Sequence, residues 1–135
     1  MPADAPVRLC GWGNLLQSGT QYPDELHCLD TKYVPIETCN ARDHYNGEIL
    51  PGMICAGELE EGGKVRFRIS LQKTVPKTLK DACPGDSGSP LTYNGNVVGL
   101  VSWGYGCGFP GYPGVYTNVA MMRDFIDSQV TMQCS

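Results

Sequence analysis

Asn94-Gly95 sits between two short runs, Pro90–Tyr93 and Val97–Trp103, each reading as a strand. An Asn-Gly pair between such runs favours a type I′ turn, whose twist matches that of paired antiparallel strands. The stretch predicts a β-hairpin, and a hairpin this tight commits the chain to an antiparallel sheet. The rest of the chain reads the same way. Val7–Gly13 looks like a strand ending in a turn, and Glu25–Glu37 a strand with Pro35 near its end. Gly52–Gly57 and Gly114–Val119 are two more, while Asn14–Asp24 is a polar loop bearing Gly, Ser and Pro. Thr38–Tyr45 suits a short helix. Ala120–Val130 suits the one substantial helix, with Met122, Phe125, Ile126 and Gln129 on one face. With 17 glycines and 10 prolines in 135 residues, the expectation is one all-β domain rather than a bundle.

Seven cysteines in so short a chain point to an oxidising, extracellular compartment. An odd number leaves at least one without an internal partner. Neither C-x-x-C nor a His-x-x-x-His spacing occurs, so no metal is expected. A net charge of −4 argues against nucleic acid as a partner. No apolar run approaches the length of a membrane span, and the opening M-P-A-D-A-P lacks the character of a signal peptide. One segment breaks the pattern. Val65–Lys80 carries five of the ten Lys/Arg and no acid, whereas elsewhere five basic residues face fourteen acidic ones. It reads as an atypical insertion, either a genuine basic loop or retained intron sequence. Val65-Arg66 is encodable as GTAAGA, a donor-like sequence, and Lys80 as AAG, ending in the AG of an acceptor.

Residues 83–90, C-P-G-D-S-G-S-P, place Ser87 between an acid and small residues. A serine hydroxyl is a weak nucleophile until a base takes its proton, and the usual base is a histidine oriented by a carboxylate. The only histidines, His27 and His44, both precede Ser87, which excludes the α/β-hydrolase order. The G-x-S-x-G elbow also fails, because position 89 is serine. His27, in L-H-C-L, reads as a half-exposed strand residue, and His44, in R-D-H-Y-N-G, as a surface residue beside a turn. Neither suits the base.

C-P-G-D-S-G-S-P, then V-S-W-G-Y-G-C, then P-G-V-Y-T-N-V, resembles the C-terminal half of the trypsin/chymotrypsin family of serine proteases. The earlier C-G-W-G and M-I-C-A-G match the same half in the same order. The resemblance implies the second, C-terminal barrel of a chymotrypsin-like fold: a six-stranded antiparallel Greek-key barrel with a C-terminal helix. It implies Ser87 as nucleophile and the N–H groups of Gly85 and Ser87 as the oxyanion hole. Asp86 matches the aspartate that pairs with a new amino terminus on activation. Asp81 matches the base of the specificity pocket, where an acid implies cleavage after Lys or Arg. Gly104 and Gly114 match the pocket walls, and Ser102-Trp103-Gly104 the strand edge that pairs with substrate. Cys83 and Cys107 match one family disulfide and Cys39 and Cys55 another. Cys28 matches a cysteine that pairs with the N-terminal half in trypsins. Cys10 and Cys134 have no clear counterpart; Cys10 and Cys28 can pair if their strands are antiparallel neighbours.

The motifs of the first barrel, with the catalytic His and Asp, do not occur in these residues. The resemblance therefore implies a partner, the N-terminal barrel, and a polypeptide substrate bearing Lys or Arg, with no cofactor. These 135 residues by themselves are expected to be inactive. A non-catalytic binding module descended from the family is the alternative.

Overall fold

The structure is a computed structural model that describes residues 1–14, 21–59, 82, 85–107, 109 and 111–133. Six antiparallel strands close into a barrel: β1 (Pro6–Gly11), β2 (His27–Val34), β3 (Met53–Ala56), β4 (Pro90–Tyr93), β5 (Asn96–Trp103) and β6 (Gly114–Asn118). Around the barrel they run β1-β2-β3-β6-β5-β4. After three consecutive neighbours, β4 returns beside β1, which is the Greek-key order. A helical turn, α1 (Ile36–Cys39), joins β2 to β3. A 3-10 turn at Ala120–Met122 leads into the terminal helix α2 (Arg123–Gln133).

Local sequence explains each element. Asn94 and Gly95 hold φ of +48° and +78°, positive at both central positions as a type I′ turn requires. In β3, Ile54 and Ala56 face the barrel interior while Met53 and Cys55 face outward. In β6, Tyr116 faces inward and Val115 outward. The interior core is Val7, Leu9, Ile54, Ala56, Leu91 and Tyr116. A second core lies outside the barrel wall, where Val34, Cys39, Tyr45, Ile49, Cys55 and Val115 pack together. The β2–β3 connection thus folds back over the outer face of β3 and β6, stapled by the Cys39–Cys55 disulfide.

Three expectations need correction. The helix predicted over Thr38–Tyr45 lies instead at Ile36–Cys39, and turns follow it. Strand β2 is shorter than Glu25–Glu37 at both ends. The predicted apolar face of the terminal helix is only partly covered: Met122 and Ile126 are half-buried, but Phe125 is 65% exposed. Cys10 and Cys28 sit directly opposite each other in β1 and β2 and form a disulfide, which settles the pairing that sequence left open. The basic segment Val65–Lys80 and Cys134 lie outside the described residues.

Leu91 is wholly buried at the centre of the interior core. Truncating it leaves a cavity that neighbouring strands cannot fill. Leu91→Ala is expected to lower the unfolding free energy by about 2–5 kcal/mol, read from urea denaturation.

Candidate active site

Strand alternation places the β1–β2, β3–β4 and β5–β6 connections at one end of the barrel. Apart from the Cys39–Cys55 pair, the described candidate residues belong to these connections or to the strand ends that flank them. Gly85, Asp86 and Ser87 precede β4, Ser102–Gly104 end β5, and Gly114 opens β6. Asp81 and Cys83 lie outside the described residues. Cys107 is disulfide-bonded and buried.

Ser87 stands on a tight turn closed by the Ser89 N–H donating to the Asp86 carbonyl at 2.8 Å. Ser87 keeps a negative φ and Gly88 has φ of +81°, the type II pattern that needs glycine at its third position. Two bonds fasten the turn to β5: Gly88 N–H to Val101 O at 2.9 Å, and Val101 N–H to Ser89 O at 3.0 Å. Ser87 itself is exposed. Past Val101, no described residue pairs with the β4-facing edge of β5, so Ser102-Trp103-Gly104 continues as an open strand edge beside Ser87. An open edge of this kind is a template for adding an extended peptide.

Asp86 turns the other way, toward β1. Its Oδ1 accepts the Gly13 N–H at 2.8 Å. A methyl group placed on Gly11 or Gly13 would come within 2.2 Å of the Asp86 carboxylate. The G-W-G of C-G-W-G is thus a notch for this side chain. Gly85 has φ of +97°, and a methyl group there would lie 3.0 Å from the Tyr22 ring and 3.2 Å from the Gly13 Cα.

Gly104 and Gly114 face each other: a methyl group on Gly104 would sit 3.8 Å from the Gly114 Cα and 3.6 Å from the Tyr45 hydroxyl. Tyr45 is a residue that the motifs did not single out. It is 1% exposed, and its hydroxyl donates to the Pro113 carbonyl at 2.7 Å, next to Gly114. Its ring meets Trp103 edge to face with centroids 5.2 Å apart. The Asn40 side chain holds the loop that carries Tyr45, exchanging two 2.8 Å hydrogen bonds with the Ile49 backbone. The one signal in sequence was an aromatic residue within an otherwise polar turn.

Tyr105 stands on the outer side of this cluster, and its hydroxyl donates to Glu48. That hydrogen bond raises the phenol above its ordinary value of 10.0, with burial and the charges of Glu48 and Tyr112 adding to it. Because the folded value is raised, the tether holds below the ordinary phenol value and is lost as pH rises through the folded one.

The two histidines differ. His27 is exposed at the start of β2, as expected of a strand residue. His44 is not the surface residue predicted: its side chain is only 16% exposed and packs against Gly111. Among the described residues, no group of three His, Cys, Asp or Glu is arranged to hold a metal ion. No described helix is long and apolar enough to cross a membrane.

Comparison with known proteins brings a consistent result. A family model described as Trypsin matches residues 1–68 and 68–126, two stretches that meet inside the basic segment. An anionic trypsin of Canis lupus familiaris is 44% identical over 129 residues, covering 93% of this chain and 44% of the relative. A trypsin of Xenopus laevis is 41% identical over 122 residues, covering 90% of this chain and 42% of the relative. Trypsin-3 of Salmo salar is 42% identical over 121 residues, covering 90% and 43%. The chain spans less than half the length of these curated relatives.

Two measurements check the local geometry. Tyr45→Phe leaves the buried Pro113 carbonyl without its donor and is expected to cost about 1–3 kcal/mol in denaturant unfolding. Ultraviolet titration of the phenols is expected to show Tyr105 ionising above the ordinary value, and Glu48→Gln to bring it back down.

Proposed function

The chain belongs to the trypsin family of serine proteases, and from that premise we propose that it is the nucleophile-bearing barrel of an endopeptidase that cleaves after Lys or Arg. What best supports this is the setting of Ser87: exposed, on a turn clamped to β5, next to an open strand edge. In this reading Ser87 Oγ attacks the carbonyl carbon of the scissile peptide bond while a base takes its proton. The N–H groups of Gly85 and Ser87 receive the developing oxyanion; such donors contribute roughly 3–4 kcal/mol each. The tetrahedral intermediate collapses, the amine leaves with a proton, and water hydrolyses the acyl-enzyme. Asp86 holds the turn in register through the notch between Gly11 and Gly13.

Substrate selection falls to the pocket. In this reading Gly104 and Gly114 form the pocket walls, and Asp81 supplies a charge at its base. A carboxylate placed there favours Lys and Arg, because an apolar side chain would leave it unpaired. The substrate backbone adds to the open edge at Ser102-Trp103-Gly104. Neither histidine suits the base: His27 is an exposed residue of β2 and His44 packs against Gly111. The base and its orienting carboxylate come, in this proposal, from the N-terminal barrel, a partner in the complete protease. Val65–Lys80 is an insertion in the β3–β4 connection, the stretch that leads into Asp81. The disulfides fit a secreted protein.

A serine-directed fluorophosphonate tests the reading on the protein expressed from its full gene. It is expected to label Ser87 and to stop hydrolysis of an arginyl amide, with no label in Ser87→Ala. Asp81→Ser is expected to cut the preference for arginyl over phenylalanyl substrates on the order of 10³-fold. An unlabelled Ser87 in a folded, full-length protein would refute the nucleophile and favour a non-catalytic binding module.

A further inference from the structure

We propose that Glu48 selects a cationic side chain, Arg or Lys, on the substrate segment that precedes the cleaved residue, and that Tyr105 holds Glu48 in place for it. This selection rests on the reading of Ser102-Trp103-Gly104 as the edge that takes the substrate backbone.

Topology gives the direction. Every strand pair of the barrel is antiparallel, and a substrate added to the open edge of β5 in the same sense continues the sheet. Strand β5 passes the bonds at Val101 that fasten the Ser87 turn, and the chain runs on through Gly104 to Tyr105. An antiparallel substrate therefore passes Tyr105 first and reaches Ser87 afterwards. The stretch beside Tyr105 lies on the N-terminal side of the cleaved bond. With residues paired one to one, the residue carrying the scissile carbonyl stands opposite Ser102. The second and third residues before it then stand opposite Gly104 and Tyr105.

At that end of the edge a carboxylate is held from two sides. The Tyr105 ring meets those of Tyr45 and Tyr112 with centroids 5.2 Å apart in each case, and that of Trp103 at 5.9 Å. The Tyr105 N–H donates to the Tyr45 hydroxyl at 3.4 Å. The Glu48 N–H donates to the Tyr45 carbonyl at 3.0 Å, and Glu48 Oε2 accepts the Tyr105 hydroxyl. All these contacts join loops of this one barrel. Among the described residues the ion pairs are Arg8–Asp30, His44–Asp43 and Arg123–Asp127, and none involves Glu48. Tyr105 gives the carboxylate a hydrogen bond but no opposite charge. A guanidinium or ammonium supplies that charge, and an aromatic ring beside it adds cation–π attraction. An acidic side chain would meet like charge there. An apolar one gains ring contact but leaves the charge of Glu48 uncompensated.

The test uses the protein expressed from its full gene and peptide amides cleaved after Arg. The peptides differ only in carrying Arg, Gln or Glu at the second and third residues before the cleaved one. The kcat/KM value is expected to be about ten-fold higher with Arg than with Gln, and lowest with Glu. The Arg-to-Gln ratio is expected to shrink as salt is raised from about 0.01 M to about 1 M. Glu48→Gln is expected to abolish the preference and Glu48→Lys to invert it. Tyr105→Phe, which lets the carboxylate swing, is expected to lower the ratio about three-fold. Because each readout is a ratio, a general change in activity cancels. Should Glu48→Gln fail to fold, the salt dependence of the unaltered protein decides. Equal rates with Arg and Gln, as when a cation of the N-terminal barrel already pairs with Glu48, overturn the proposal. So does a preference that survives in folded Glu48→Gln. If no peptide is cleaved and Ser87 takes no fluorophosphonate, the nucleophile is refuted, and the Kd of the same peptides decides the selection. Tighter binding with Arg that Glu48→Gln abolishes leaves it standing; equal binding overturns it.

Discussion

The Asp86 carboxylate occupies space that a side chain on Gly11 or Gly13 would fill, and it accepts the Gly13 N–H at 2.8 Å. This contact joins the end of β1 to the turn that presents Ser87. The same turn is joined on its other side to β5, through the Gly88 and Ser89 bonds to Val101. Barrel closure explains why both attachments exist. Because β4 lies between β1 and β5, the residues just before Pro90 have a neighbour on each flank. A chain in that position does not choose its own conformation. The Greek-key return of β4 fixes where the turn goes, and the glycines allow it to fit.

The same logic separates what sequence could reveal from what it could not. Strands were legible where alternation met a turn signal, as in the Asn94-Gly95 hairpin, whose φ values are both positive. Alternation reports one-sided burial, which is a property of the strand itself. The small size of residues 83–90 was legible for a similar reason, since a turn of this shape needs glycine at position 88. Tyr45 and His44 were not legible. Both lie in a polar turn buried by contacts distant in sequence, Tyr45 against Trp103 and Pro113 and His44 against Gly111, and the lone aromatic of that turn is the one local signal. Helical propensity over Thr38–Tyr45 yields after Cys39, where the Cys39–Cys55 bond and the paired Asn40–Ile49 hydrogen bonds impose turns. Phe125 errs in the opposite direction. Its spacing predicts a buried helix face, and the described barrel covers only the Met122–Ile126 side.

The seams of the barrel show why its two described disulfides differ. Strands β2 and β3 share only two register pairs, Tyr33↔Ala56 and Val34↔Cys55, so backbone pairing holds that seam weakly. The Cys39–Cys55 bond and the outer core of Val34, Tyr45, Ile49 and Val115 lie over it. Covalent and apolar terms there make up for missing ladder bonds, and burial protects the sulfurs. Strands β1 and β2, by contrast, share six consecutive pairs from Pro6↔Lys32 to Gly11↔His27. A seam that long does not need a covalent bond to stay paired. The Cys10–Cys28 bond therefore acts locally, at the open end where pairing runs out and the Gly11–Gly13 notch begins. A disulfide at the weak seam is part of the wall, and one at the end of the strong seam marks where the wall stops.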